Sequence, residues 1–230
     1  MYRFGLFGSD KRTITVKEKL QKDGYSAKML GYESDFDGLD VIILPFGCDF
    51  ERIKQKCKGK KVFAPFDADG CENYLKNRYF KTQNAIPSAE GAVWILMSNS
   101  QRTVCGMQVG VVGSGCIAKE LVRILGGLGA TVTVYARNQK GDADITDLDK
   151  FNGDALFNTV PAPVVTKSVL CNYRQKPTII DVSSLPGGVD FDYAAICGIK
   201  CMHELGIPSR YAPETAGEIL KNTVLSMLEV

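Results

Sequence analysis

Val109-Gly110-Val111-Val112-Gly113-Ser114-Gly115-Cys116-Ile117-Ala118 reads as a short buried strand running into a Gly-x-Gly-x-x-Ala turn. Each glycine answers a separate need. At 113 it permits the tight turn off the strand, and at 115 it lets the backbone approach a pyrophosphate held by the amino end of the next helix. Ala118 is small enough to take the packing place of a third glycine. The flanks agree with this reading. Leu121, Val122, Leu125 and Leu128 fall at helical spacing over 119–128, Gly129 stops that helix, and Thr131 to Tyr135 is a second, β-branched strand. Strand, glycine turn, helix and strand in this order predict a dinucleotide-binding βαβ unit, with Gly113, Ser114, Gly115, Cys116 and Ile117 at the phosphates.

The end of the second strand selects the nucleotide. An acid about 20 residues after the glycines holds a ribose 2′-hydroxyl, whereas an arginine there suits a 2′-phosphate. This chain has Tyr135-Ala136-Arg137-Asn138 and no acid. Ala136 and Arg137 are therefore assigned to the adenosine ribose, and the planar donor fork of Arg137 favours NADP over NAD.

Composition sets the remaining bounds. In 230 residues, 45% are hydrophobic and 23% charged, which is enough for a substantial core. The net charge of +2, with no basic run interleaved with aromatics, gives no reason to expect nucleic acid. No apolar run reaches the length of a membrane span, and Met1 to Gly8 is too short for a signal peptide, so no leader and a cytoplasmic location are expected. The eight cysteines form no CxxC or zinc-like cluster, so they are read as reduced and mostly buried, with no metal. Cys116 stands apart because a helix amino end can activate a thiol. His203 is the only histidine, which leaves little material for a histidine-based triad or metal site; chemistry carried by a cofactor needs neither.

Strand-like and helix-like segments alternate throughout, which predicts an α/β fold of two doubly wound parallel-sheet domains. The first, 1–83, reads as strands at 2–7, 27–30, 41–44, 61–66 and 79–82 with helices at 12–23, 50–57 and 71–77. Its Gly8-Ser9-Asp10 loop lacks the spaced glycines of a dinucleotide site. A long helix opening at Asn84-Ala85-Ile86-Pro87, with Pro87 in its first turn and Ala89, Val93, Leu96 and Met97 buried, marks the boundary to a Rossmann domain over 84–212. Strands there are expected at 108–112, 131–135, 155–158, 178–182 and 199–202, and a last helix over 213–229 is expected to return to the first domain. A substrate is expected in the cleft between the domains.

Ligands in open α/β sheets lie beyond the carboxyl ends of the strands. Three loops are placed there: Asn158-Thr159-Val160-Pro161, the run from Asp181 and Val182 to Gly188, and 206–213. Asn158, Thr159, Val160, Pro161 and Val182 are assigned to the nicotinamide end of the cofactor.

Several motifs resemble the A subunit family of bacterial dipicolinate synthases. They are Gly8-Ser9-Asp10-x-Arg12, Asn84-Ala85-Ile86-Pro87-Ser88-Ala89-Glu90-Gly91, Gly113-Ser114-Gly115, Asn158-Thr159-Val160-Pro161, Ile180-Asp181-Val182-Ser183-Ser184-x-Pro186-Gly187-Gly188 and Ala212-Pro213-x-Thr215-Ala216-Gly217. The resemblance spans nearly the whole chain in the right order. It implies a two-domain arrangement like that of formate and glycerate dehydrogenases. It further implies NADP-linked oxidation of dihydrodipicolinate or 4-hydroxytetrahydrodipicolinate to dipicolinate in sporulation, and a flavoprotein-like partner, the B subunit. The chain is also expected to form a homo-oligomer. For the dicarboxylate the candidates are Arg12, Asn84, Ser88, Ser184 and Arg210, since a carboxylate needs a fork or nest of donors; Glu90, Asn158 and Ser184 are the catalytic candidates. Departures from the family pattern are Cys116-Ile117-Ala118 in place of Arg-Thr-Gly, Gly206-Ile207-Pro208-Ser209 in place of Gly-Leu-Pro-Gly, and a shortened or lost crossover helix after Arg137, which would open the adenine end. Two alternatives stay open: a non-catalytic nucleotide-binding or scaffold subunit, or else an NADP dehydrogenase of another small acid.

Overall fold

A computed structural model describes residues 1–229. The chain forms two compact units, residues 1–84 with 208–230 and residues 85–207. Both are parallel α/β sheets with helices on either side.

In the first unit the elements run β1 (Arg3–Phe7), α1 (Lys11–Lys22), β2 (Ser26–Leu30), β3 (Val41–Ile43), α2 (Phe50–Ile53), β4 (Lys61–Ala64) and β5 (Cys71–Asn73). A 3-10 turn, Tyr74–Lys76, leads to α3 (Arg78–Ser98). The sheet order is β2-β1-β3-β4-β5, so the winding reverses between β1 and β3. Central strands that are covered on both faces are apolar throughout, as Val41-Ile42-Ile43 shows. One face buries Phe4, Leu6, Phe63 and Tyr74 under α1 and the last helix, and the other buries Leu30, Ile42, Leu44 and Ile53.

The second unit continues with β6 (Gln108–Val112), α4 (Cys116–Gly127), β7 (Thr131–Ala136), β8 (Ala143–Asp144), the 3-10 turn Ile145–Lys150, β9 (Ala155–Asn158), α5 (Lys167–Leu170), β10 (Thr178–Asp181), α6 (Phe191–Ile196) and β11 (Cys201–His203). Its sheet order, β11-β10-β9-β6-β7-β8, is that of a doubly wound dinucleotide fold, and the reversal lies between β6 and β9. Helix α4 buries Ala118, Leu121 and Leu125 on one face of the sheet, and Leu148, Phe151, Leu156 and Ala194 fill the other. Two further helices, α7 (Ile207–Tyr211) and α8 (Pro213–Met227), follow. Helix α8 packs on α1 in the first unit, where a Cβ at Gly217 would come within 2.7 Å of Thr15 Cβ.

Several local expectations are corrected. Cys71 to Asn77 is not a helix, because Cys71–Asn73 pairs with β4 as an edge strand and only Tyr74–Lys76 turns. Tyr79 to Thr82 is not a strand. Asn77 Oδ1 accepts from Phe80 N at 3.2 Å, and Phe80 is buried against Tyr74 with ring centroids 5.3 Å apart, so the helix starts earlier. Pro87 therefore sits inside α3 rather than in its first turn, and Glu90 lies well beyond the helix start. Met97 is 52% exposed and Leu128, at the end of α4, is 40% exposed, so neither joins a core. Helix α2 stops at Ile53, and the 206–213 loop contains α7. All eight cysteines are free, but only Cys57 is buried; Cys105 and Cys171 are exposed. Among the described residues no helix is long and apolar enough to cross a membrane, and no group of three or more acids, cysteines or histidines could hold a metal.

Candidate nucleotide site at the carboxyl edge of the second sheet

The two glycines of the turn are needed for different reasons. Gly113 has φ +109°, and a Cβ there would collide with Thr159 Oγ1 and stand 3.0 Å from Val160 Cγ2. The chain's own packing demands that glycine. Gly115 has φ −76°, which any residue adopts, and a Cβ there would meet nothing within 4 Å. Internal packing does not require it, and what its missing side chain leaves is open space over the start of α4. That helix has no side-chain cap bond and no acid in its first turn. Its first amides therefore have no acceptor within the helix and face outward at the positive end of the dipole. Cys116 and Ile117 are half-buried in this turn, and Ser114 is half-buried before it. These features fit a dinucleotide pyrophosphate.

Beyond the turn, β6, β9, β10 and β11 end on one rung. Val112 pairs with Asn158, Asn158 with Asp181 and Asp181 with His203. Three of these four residues are polar, and Asn158 and Asp181 are wholly buried. Among the described residues no cation forms an ion pair with Asp181, and hydrogen bonds meet both of its carboxylate oxygens. Its Oδ1 accepts from Asn158 Nδ2 at 2.9 Å, Ser183 N at 2.9 Å and Ser183 Oγ at 2.7 Å, and its Oδ2 accepts from Gly188 N at 2.8 Å. Asn158 Nδ2 also donates to Val160 O at 3.0 Å, and its Oδ1 accepts from Val160 N at 3.1 Å. The loop from Ser183 to Gly188 is thus tied to the end of β9. Gly188 seals the contact, since a Cβ there would stand 2.5 Å from Val160 O and 2.7 Å from Ala162 O.

His203 lies 3.0 Å from Ser183 O through Nε2 and stacks on Phe191 with centroids 5.5 Å apart. A carbonyl can only accept, which puts the ring proton on Nε2. Burial, with the Asp181 carboxylate adding to it, pushes the neighbouring Cys201 thiol up to about 12.

At the other end of the sheet, Ala136 is buried and Arg137 is exposed, with no ion-pair partner for it among the described residues. Asn138 and Gln139 take left-handed conformations (φ 59° and 56°), and the chain doubles back on β7, where Asp142 N donates to Val134 O at 2.9 Å and Asp142 Oδ2 accepts from Val134 N at 2.8 Å. This short return leaves no residues for a crossover helix.

The structure groups Gly113, Asn158, Thr159 and Val160 in direct contact. Thr159 Oγ1 donates to Val112 O at 2.8 Å, and Pro161 is exposed beyond it. Val182 is half-buried, and Ser184 is exposed on its loop. Glu90 is exposed on α3, and Ser88 is 5% exposed on the same helix. Arg12, Asn84 and Arg210 belong to the first unit, where Arg12 is 7% exposed, Asn84 is half-buried, and Arg210 lies over the Tyr211 ring at 5.3 Å. Sequence reasoning placed the Asp181 to Gly188 loop at the site but gave Asp181 and Ser183 no role of their own, and it set His203 aside. A signal was available: β9, β10 and β11 each end on a polar residue, at Asn158, Asp181 and His203.

No family model matches the chain. The dipicolinate synthase A subunit of Bacillus subtilis (strain 168) is 36% identical over 157 residues. That alignment takes in 63% of this chain and 53% of the relative, so it spans about half the relative's length. The crystal structure of the dipicolinate synthase A subunit from Bacillus halodurans superposes over 100% of this chain and 98% of its own, with a TM-score of 0.88 at 25% identity. An NAD-dependent formate dehydrogenase from Staphylococcus aureus, solved in complex with NAD, shares the fold at a TM-score of 0.60 and 17% identity, over 100% of this chain and 95% of that one.

Proposed function

We propose that the chain, which is similar to dipicolinate synthase A subunits, is a nicotinamide-dependent oxidoreductase of that family that uses NADP. In this reading it oxidises dihydrodipicolinate to dipicolinate, a hydride passing to NADP and a proton to solvent, or does so from 4-hydroxytetrahydrodipicolinate after loss of its hydroxyl as water, in the cytoplasm of a sporulating cell and together with a B subunit. The open space at Gly115, over the uncapped end of α4, is the observation that carries the reading.

When bound, the nicotinamide supplies the hydride acceptor. The chain's part is to bind, orient and exclude water. Amides of Gly115 to Ile117 receive the pyrophosphate, and Arg137 receives the 2′-phosphate in the place where NAD sites present an acid. Thr159, Val160, Pro161 and Val182 line the nicotinamide end. Asn158 acts through the loop that it holds, because both of its polar atoms are spent within the chain. The exposed hydroxyl of Ser184 is offered to a substrate carboxylate, and Glu90 is offered for proton transfer. Arg12, Asn84, Ser88 and Arg210 complete the set of donors proposed for the dicarboxylate.

The test supplies purified chain with NADP and freshly generated substrate, with and without the B subunit, and follows the ultraviolet absorbance of the pyridine product. Absence of product under both conditions would sink the proposal. The missing crossover helix after Arg137 favours a second reading, a nucleotide-free scaffold subunit. Saturable NADPH binding below millimolar ligand would exclude it.

A further inference from the structure

His203 takes no part in the nucleotide reading, yet it is the chain's only histidine and ends β11 on the rung shared with Asn158 and Asp181. The loop that follows β10 has a buried foot and an exposed tip. Ser183, Gly187 and Gly188 are buried, whereas Ser184, Leu185 and Pro186 are exposed, and Leu185 is 71% exposed. Asp181 fastens the two ends of this loop, through Ser183 N and Oγ and through Gly188 N. Within the loop, Gly187 N donates to Ser184 O at 3.0 Å. None of these bonds fixes the peptide between Ser183 and Ser184, the unit from which the exposed tip departs. Its carbonyl is met by His203, with Nε2 3.0 Å from Ser183 O.

The imidazole is itself held on a face and an edge. Phe191, at the start of α6, stacks on the face with an interplanar angle of 22°. Gly187 closes on the edge, where a Cβ would stand 3.2 Å from His203 Cε1 and 3.6 Å from Nδ1. A ring gripped in this way keeps its Nε2 aimed at one place, as a side chain that supports a binding site must.

We propose that His203 is a positioning residue for the ligand site: its Nε2–H fixes the plane of the Ser183–Ser184 peptide and thereby the direction in which the Ser184 hydroxyl leaves the loop. A peptide plane that rocks carries that hydroxyl with it, and recognition of a carboxylate depends on where the donor stands. The inference rests on the reading above for the placing of Ser184 at the substrate; the clamp itself belongs to the ligand-free chain.

The test compares wild type with His203→Leu, which removes the donor, and with His203→Gln, whose amide nitrogen can stand where Nε2 stands. With one histidine in the chain, an imidazole proton–nitrogen correlation spectrum of the ligand-free protein reads a single ring. It should show a proton on Nε2; a proton on Nδ1 alone would overturn the proposal. Amide exchange at Gly187 and Gly188 should quicken roughly fivefold in His203→Leu, as expected for the loss of one hydrogen bond, and return toward the wild-type rate in His203→Gln. In the product assay, His203→Leu should raise KM for the acid roughly tenfold with kcat within about threefold of wild type, and His203→Gln should recover most of that loss. Should His203→Leu fail to fold, His203→Asn replaces it, because its shorter amide cannot reach Ser183 O. Exchange unchanged without the donor, or quickened exchange with KM unaltered, would overturn the proposal. If wild type forms no product, the oxidoreductase reading fails, and Kd for pyridine-2,6-dicarboxylate takes the place of KM in the same comparison. Absence of dicarboxylate binding by the wild type would sink this proposal as well.

Discussion

Asp181 concentrates the largest local demand in the second unit, because a wholly buried carboxylate depends on four hydrogen bonds. Asp181→Asn can turn its new NH2 group toward Gly188 N, but two donors then face each other in a dry site. The expected loss is about 1–3 kcal/mol, read as a lower urea midpoint with an unchanged slope. Gly113→Ala combines a left-handed φ with a collision against Thr159, so it should cost about 1–3 kcal/mol and abolish NADPH binding. Gly115→Ala separates stability from binding, since its Cβ meets nothing. It should leave the urea midpoint within about 0.5 kcal/mol of wild type while NADPH affinity falls. For Arg137→Ala, loss of a charge-assisted contact predicts roughly tenfold weaker NADPH binding with NADH binding unchanged. Equal loss for both nucleotides would refute the 2′-phosphate assignment.

At the scale of the element, the boundaries of α3 and the tie between β6 and β9 are the informative cases. Asn77 caps α3, so Asn77→Ala should cost about 1 kcal/mol by urea unfolding; no change would mean that the helix starts elsewhere. Asp154 fastens the start of β6, since its carboxylate accepts from Gln108 N at 2.8 Å, Arg102 Nη1 at 2.5 Å and Gln175 Nε2 at 3.2 Å. The backbone bond first, and Arg102 after it, lower its pKa. A carboxyl whose pKa is depressed by folding stabilises the fold above its unfolded value, about 3.9, and loses that contribution as pH falls through the folded value. Stability should therefore drop below about pH 4, and Asp154→Asn should flatten that drop.

For the whole molecule, α8 is the decisive segment, because it closes the first unit from the far end of the sequence. Its Ile219, Leu220 and Val224 share a core with Phe4, Leu6 and Leu20, and Gly217 lets it approach α1 closely. A chain ending at residue 206 should lose amide exchange protection in β1 and β3 and retain it in β6 and β9. Protection kept throughout would show that α8 is dispensable.

Much of the second unit was legible because its signals are local. The strands at 108–112 and 155–158, the glycine turn and the helix after it follow from periodicity and from glycine's freedom at Gly113. The short return after Arg137 was also legible, since a polar run of that length has no apolar face to bury. What sequence determined by itself was therefore the pair of α/β units, the glycine turn between β6 and α4 and the arginine that follows β7. Tertiary structure alone decided that Cys71–Asn73 is an edge strand, that α3 begins at Arg78 and runs through Pro87, and that Asn158, Asp181 and His203 fall on one rung. Short runs carry too little periodicity to choose between helix and strand, so a partner strand or a buried ring such as Phe80 makes the choice. Residues far apart in sequence become one polar network only when parallel pairing sets their register, and that register is fixed by packing over the whole sheet.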